Sequence, residues 1–523
     1  MMFASPIALL LALAAPQQAQ PPPPESKLVY LNVVAVDPHG EPVTDLTTDD
    51  FQVADAGKSQ KIAFFRHRDV KSAPAESLKP DEFSNRTSVG PSHATVILFD
   101  LLNERFGTRG QAWDQLIHFL EGLEAADDLY LYFLTVDGRL YTVHGFAEGG
   151  AGTREGTAPW TRQIKPLMAA AMHDVARVRP PEIDVNLRVD LTYRALGVLA
   201  LDLARFPGRK NIIWVTDGIP IEISATRSDT GDWVDFTAQL RQYSEALARS
   251  GVAIYPVQQI MIGSPEAMGV GENGDSGAGL FGSAGGLGRG GRGNVPVGAG
   301  MGSLQSLDEF AGLTGGRLSQ GKDVGAAIKE SRNDSRTSYQ IGYFPPPQNW
   351  DGKFHKLRLT CKRKGVRIQA KTGYYAWAEA PGDETRRVVA SAISTNFDAE
   401  EIGLRTTDSP DAKNPQVTHF SLHINANDVA LPRQGGQYTA QLRIATIGYL
   451  ANGHNENPSM FQFNPHYSAA ERDQALKDGI DFNQDMKVGP DVRSIRFIVF
   501  DRGSGAIGSI TVPANARVQS PPR

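Results

Sequence analysis

Two aspartates stand where an α/β protein does its chemistry. Asp100 follows directly on the apolar run Thr95-Val96-Ile97-Leu98-Phe99, and Asp217 follows directly on Asn211-Ile212-Ile213-Trp214-Val215-Thr216. Placed as neighbouring parallel strands, these runs deliver both carboxylates to the carboxyl edge of one sheet, the side on which such sheets bind ligands. The two anions then converge without an obvious cation nearby in sequence, and a divalent metal relieves their repulsion. Thr192, opening a helical pattern, adds a hydroxyl oxygen. Few carboxylates with neutral oxygens and water suit Mg²⁺ or Mn²⁺. The plainer alternative is that the acids cap helices or turns.

Other motifs fail on inspection. Gly269-Val270-Gly271-Glu272-Asn273-Gly274 matches a dinucleotide fingerprint literally, but no helix opens after it. Gly316 to Lys322 resembles a phosphate loop, yet Asp323 replaces the Ser/Thr that would bind magnesium. Asp481-Phe482-Asn483-Gln484-Asp485 begins like a calcium loop, with Met486 where glycine is needed and Val492 where a bidentate Glu belongs. The hydrolase signatures H-E-x-x-H and G-x-S-x-G are absent, and the 11 histidines are scattered without ligand spacing. The basic turn Lys362 to Arg367 reads as a solvated turn that discourages edge pairing. The single cysteine, Cys361, cannot close an intramolecular disulfide, and its alternation with Leu357 and Leu359 makes it a buried structural thiol.

The elements that must position the acids follow from periodicity. Residues 93–336 alternate apolar β runs with helical patterns: a helix over 109–123, strands over 129–136 and 140–143, a helix over 191–204, and another over 233–250 closed by Gly251. A strand over 252–257 follows, then helices over 304–313 and 323–333. This alternation predicts a doubly wound, Rossmann-like α/β domain. Residues 262–303 are glycine-dominated and read as a disordered surface loop. Residues 25–70 read as a small β-rich domain and 69–92 as a linker. The 337–378 region reads as a β-hairpin region packing with the N-terminal β domain, its hairpin formed by 354–361 and 366–370. Residues 383–523 read as a C-terminal β-sandwich-like domain.

At 523 residues the chain is expected to hold three or four domains, and 41% hydrophobic residues suffice for several cores. A net charge of −5 argues against bulk nucleic-acid binding. Ile7 to Ala15 is a short apolar run with Ala12-Leu13-Ala14 as a cleavage site, so residues 1–24 read as a signal peptide and Pro/Gln linker. No later apolar stretch reaches spanning length. The mature chain is expected to be exported: periplasmic, cell-surface or extracellular.

The strand ending in Asp100, the segment Thr192-Tyr193-Arg194-Ala195-Leu196 and the run Asn211 to Gly218 together resemble a von Willebrand factor A domain. Val43 to Phe51, Pro207-Gly208-Arg209-Lys210-Asn211, Ser338 to Tyr343 and Gly373-Tyr374-Tyr375 extend the likeness to the A-domain-related proteins of acidobacteria, over about residues 28–376. The resemblance implies a metal-ion-dependent adhesion site. In that motif an Asp is followed by two serines at alternate positions, with a Thr and a second Asp from later loops. Asp100, Thr192 and Asp217 match. The serine places hold Leu102 and Glu104, which leaves Glu104 and the neighbouring Asn103 as the candidate substitutes. The candidate metal set is therefore Asp100, Asn103, Glu104, Thr192 and Asp217.

The function expected from this reading is a non-enzymatic protein-binding or adhesion module that offers the carboxyl edge of its sheet to an unidentified protein partner. The competing readings are a metal-assisted hydrolase using Asp100, Glu104 and Asp217, which lacks a nucleophile or general-base motif, and a metal-free structural component of the cell envelope.

Overall fold

The computed structural model describes residues 27–69, 78–79, 81–86, 93–103, 106–123, 128–146, 160–177, 185–216, 218, 226–227, 233–234, 237–258, 299–320, 323–377, 381–411, 413–414 and 417–514. It is a mixed α/β molecule. The signal-peptide and most of the glycine-loop expectations lie outside these residues. The loop's last residues, 299–303, do not: they open the Ala299–Thr314 helix.

The central sheet has six strands in the order Ser319–Gln320, Val252–Gln258, Lys210–Val215, Ala94–Asp100, Leu129–Leu134, Leu140–His144. The first five pair in parallel, and the last lies antiparallel at the edge. Alternate residues of the buried strands feed two cores. Val96, Leu98, Ile212 and Trp214 pack with Tyr193, Leu196, Leu240 and Phe310, from the helices Val185–Asp202, Thr237–Arg249 and Ala299–Thr314. Ile97, Phe99, Ile213 and Val215 pack on the other face with Leu116, Met168 and Ile328, from Phe106–Glu121, Ile164–Val175 and Val324–Arg336. Burial on both faces is why these strands read as continuous apolar runs. The chain leaves Ala94–Asp100 to one side for Leu129–Leu134 and to the other for Lys210–Val215, so strand order reverses between Ala94–Asp100 and Lys210–Val215.

Before the central sheet, Val29–Val36 and Ile62–Asp69 flank Thr337–Tyr343 in one four-stranded sheet, completed by Arg367–Gln369. A second holds Gly373–Tyr375, Phe354–Cys361, Phe51–Asp55 and Lys58–Gln60. Val29, Leu31, Val33, Phe51, Val53, Tyr339 and Ile341 share one core between them. The hairpin expected across Lys362 to Gly365 does not form. Phe354–Cys361 pairs with Phe51–Asp55, while Arg367–Gln369 pairs with Val29–Val36. The turn is pinned: Lys362 Nζ donates to Asp49 O at 2.7 Å and Arg363 bonds the Asp45 carboxylate at 2.5 Å. Cys361 is half-buried against the core that holds Leu357 and Leu359.

The C-terminal region again places two four-stranded sheets around one core, led by Leu404, Leu422, Ile444, Phe497 and Val499. Its first sheet takes Glu82–Ser84 as an edge strand beside Leu404–Pro410, so part of the expected linker is built into the fold. A buried ion pair ties this region to the central sheet: Lys210 Nζ bonds Glu401, the two side chains being 1% and 7% exposed. Among the described residues no helix is long and apolar enough to cross a membrane.

Candidate functional site

Asp100 ends the central strand at the point where strand order reverses, and it is fully buried. Its two oxygens are saturated by protein donors. Oδ1 accepts from the backbone N–H of Leu102 at 3.1 Å and of Asn103 at 3.0 Å. Oδ2 accepts from Asn103 Nδ2, Trp214 Nε1 and Thr216 Oγ1, each at 2.9 Å. Burial pushes the carboxyl above the usual range, and the bonds from Asn103, Trp214 and Thr216 pull it back.

Thr192 is brought to the same place by the Val185–Asp202 helix. Its hydroxyl donates to Arg188 O at 2.8 Å and accepts from Asn103 Nδ2 at 2.8 Å. The Asn103 amide thus lies between Asp100 and Thr192 and spends both N–H bonds on them. The orientation is fixed by charge: turning the amide over would aim Oδ1 at a carboxylate. Oδ1 is left buried without a partner among the described residues.

Of the five candidate residues, Asp100, Asn103 and Thr192 converge. Glu104 and Asp217 lie outside the described residues. Sequence reading missed Trp214 and Thr216. They were legible, since residues two apart on a strand share a face, and both carry an N–H or O–H beside the end of the neighbouring strand. Among the described residues the groups between Asp100 and Thr192 are hydrogen-bond donors rather than cation ligands. Where a metal would take oxygen ligands from Asp100 and Thr192, the chain supplies an NH₂ group, and Leu102 offers no ligand atom. Among the described residues no group of three or more His, Cys, Asp or Glu is placed to hold a metal ion.

A second buried carboxylate, which the sequence reading did not single out, lies in the N-terminal β region. Asp55, fully buried, accepts from Tyr343 OH at 3.0 Å and Tyr374 OH at 2.9 Å, and its Oδ1 lies 2.9 Å from His355 Nδ1. His355 Nε2 reaches Asp351 at 3.2 Å. The cluster joins the two facing sheets, and its hydrogen bonds among the described residues include no Ser, Thr or Cys.

No family model matches the chain, and no curated protein does. Among solved structures it is similar to the human COPII-coat protein Sec24c, with 9% identity and a TM-score of 0.22, over 54% of this chain and 44% of that one. It is also similar to the pilus adhesin SpaC from Lactobacillus rhamnosus GG, with 8% identity and a TM-score of 0.24, over 89% of this chain and 57% of that one. The chain spans about half the length of each.

Proposed function

We propose that the chain is an exported, non-enzymatic binding module built on a von Willebrand factor A-like unit, and that it presents the carboxyl edge of the central sheet to a protein partner without a bound cation. The observation that carries this reading is the Asn103 amide bridging Asp100 and Thr192 at 2.9 and 2.8 Å. It gives the buried carboxylate a neutral partner at the place where the resemblance implies Mg²⁺ or Mn²⁺. The same observation weighs against the hydrolase reading. A carboxylate with five donors and no exposed surface neither polarises a substrate nor takes a proton from water.

Titration calorimetry of the mature chain with Mg²⁺, Mn²⁺ and Ca²⁺ tests the proposal. The expected result is no saturable heat and no metal-dependent rise in melting temperature. Saturable binding of any of the three by the wild-type chain, abolished by Asp217→Ala, overturns the cation-free reading. Turnover on a hydrolase substrate panel, lost in Asp100→Ala, overturns the non-enzymatic one.

A further inference from the structure

A cleft of about 1250 Å³ opens between the N-terminal β region and the C-terminal region, away from the Asp100 site. One wall is formed by every residue from Gln60 to Arg68. Successive side chains of a strand point to opposite faces, so an unbroken run lining one cavity means that the strand turns its edge to it. The sheet order agrees. Ile62–Asp69 is the outermost strand and pairs only with Thr337–Tyr343, so its free side carries backbone N–H and C=O groups with no ladder partner among the described residues. An edge of this length is ordinarily covered or paired.

The charge of the cleft is one-sided. Lys61, Arg66 and Arg68 line the strand wall, and Arg433 and Arg472 line the opposite wall beside Tyr438. The carboxylate among the lining residues, Asp428, is already held by Arg68 and Arg86. Arg472 stacks over the Tyr438 ring at 4.6 Å and pairs with Asp473 at 2.7 Å, and Arg66 is bound to the carbonyls of Asn427 and Val429. Lys61 and Arg433 have no acidic partner among the described residues. From Lys61 to Arg68 an extended chain covers roughly 23 Å. The cations are therefore strung along a strand-length groove.

We infer that this cleft binds an acidic, extended peptide segment of a partner protein, which adds as a further strand along Ile62–Asp69. The backbone edge supplies the ladder, as in other strand-addition complexes. Lys61 on one wall and Arg433 on the other select carboxylate side chains, which alternate to either face of the added strand. This site is separate from the carboxyl edge of the central sheet and stands or falls independently of it.

The test is fluorescence anisotropy of a labelled ten-residue peptide of alternating Glu and Thr, titrated with the full mature chain. The controls are the matching Lys/Thr peptide, the Glu/Thr peptide methylated on every backbone nitrogen, and inorganic phosphate as competitor. Expected are saturable binding of the Glu/Thr peptide alone, no displacement by millimolar phosphate, and about tenfold or greater weakening in Lys61→Glu/Arg433→Glu. Both positions are exposed, so the variant's unchanged circular dichroism serves as the folding control. Four results each overturn the inference: no binding, equal binding of the Lys/Thr peptide, and equal binding of the methylated peptide, which would leave charge attraction without a ladder. The fourth is displacement by phosphate, which would mark a small-anion site.

Discussion

Glu400 titrates where three parts of the molecule meet, and its charge can be read as stability. Its backbone N–H donates to Ala204 O at 3.1 Å, at the end of a helix on the central sheet. Its carbonyl accepts from Arg86 Nη2 at 2.5 Å, on the segment that carries the Glu82–Ser84 strand. Burial drives the Glu400 carboxyl from 4.5 up to about 7, opposed by Arg86 and Arg205 and reinforced by Asp398. Between these two values the folded chain holds the proton more tightly than the unfolded chain does. The stability contributed by Glu400 is thus complete below about pH 4.5 and is lost as pH rises through about 7. The gap corresponds to about 3 kcal/mol, an upper value because the carboxyl keeps some solvent. Glu400→Gln removes the titration. Urea unfolding followed by circular dichroism from pH 4.5 to 8.5 should show similar stability at the acid end, with the variant gaining on wild type by up to about 3 kcal/mol at the alkaline end. Parallel wild-type and variant profiles would refute the burial argument, and with it the packing of Glu400 against Ala204.

Other buried polar groups give sharper single tests. Glu401→Leu leaves Lys210 charged and buried without its partner, at a cost of about 3–5 kcal/mol, whereas Lys210→Met/Glu401→Leu should return most of that loss in the same urea titration. Asp55→Ala strands two tyrosine hydroxyls and an imidazole in a buried site, and should lower stability by about 3–5 kcal/mol while leaving the metal and peptide titrations unchanged. Ser468→Ala removes the bond to Glu471 N at 3.3 Å that caps the Ala469–Asp478 helix. It should cost about 1 kcal/mol and speed amide exchange in the first turn of that helix.

What was legible in the sequence divides by the range of the interaction that decides each element. Continuous apolar runs at 95–99, 211–216 and 252–257 were readable because both faces of those strands are buried, and the helices between them carried apolar periodicity. The helices Pro381–Ser394 and Ala469–Asp478 were overlooked inside a region read as β. The second had a local signal, Ser468-Ala-Ala-Glu471, whose two ends cap each other. The first begins with Pro-Gly, which reads as a turn. Glu82–Ser84 had no local signal at all. It is three residues long, in a stretch of Pro, Ser and charge, and becomes a strand only because Arg405 to Thr407 lie beside it. The hairpin error has the same root: residues 354–361 and 366–370 are each β-like, but their partners are Phe51–Asp55 and Val29–Val36, more than 300 residues away. At the site, the convergence of Asp100 with Thr192 followed from strand and helix placement. The role of Asn103 did not, because which side chain of the turn after the strand swings in between Asp100 and Thr192 is decided by the backbone of that turn, where Asp100 Oδ1 holds the N–H groups of Leu102 and Asn103.

That amide changes what it would take to make the site bind a cation. By spacing alone, Leu102 and Glu104 are the departures from the motif that the proposed A-domain likeness implies, and Leu102→Ser/Glu104→Ser restores its two serines. In the folded chain the repair is incomplete. Asn103 Nδ2 still occupies the approach to Asp100 Oδ2 and Thr192 Oγ1, and a cation must displace two hydrogen bonds, one of them to a carboxylate. Bonds of this kind contribute about 1–3 kcal/mol each, so losing both weakens binding by about thirtyfold to more than ten-thousandfold. Leu102→Ser/Glu104→Ser should therefore gain little Mg²⁺ affinity in calorimetry, while the triple variant that adds Asn103→Ala should bind measurably and melt higher with Mg²⁺ present. Equal binding by the double and triple variants would mean that the amide yields freely. The bridging of Asp100 and Thr192 would then not oppose a cation, and the cation-free proposal would lose the observation it rests on.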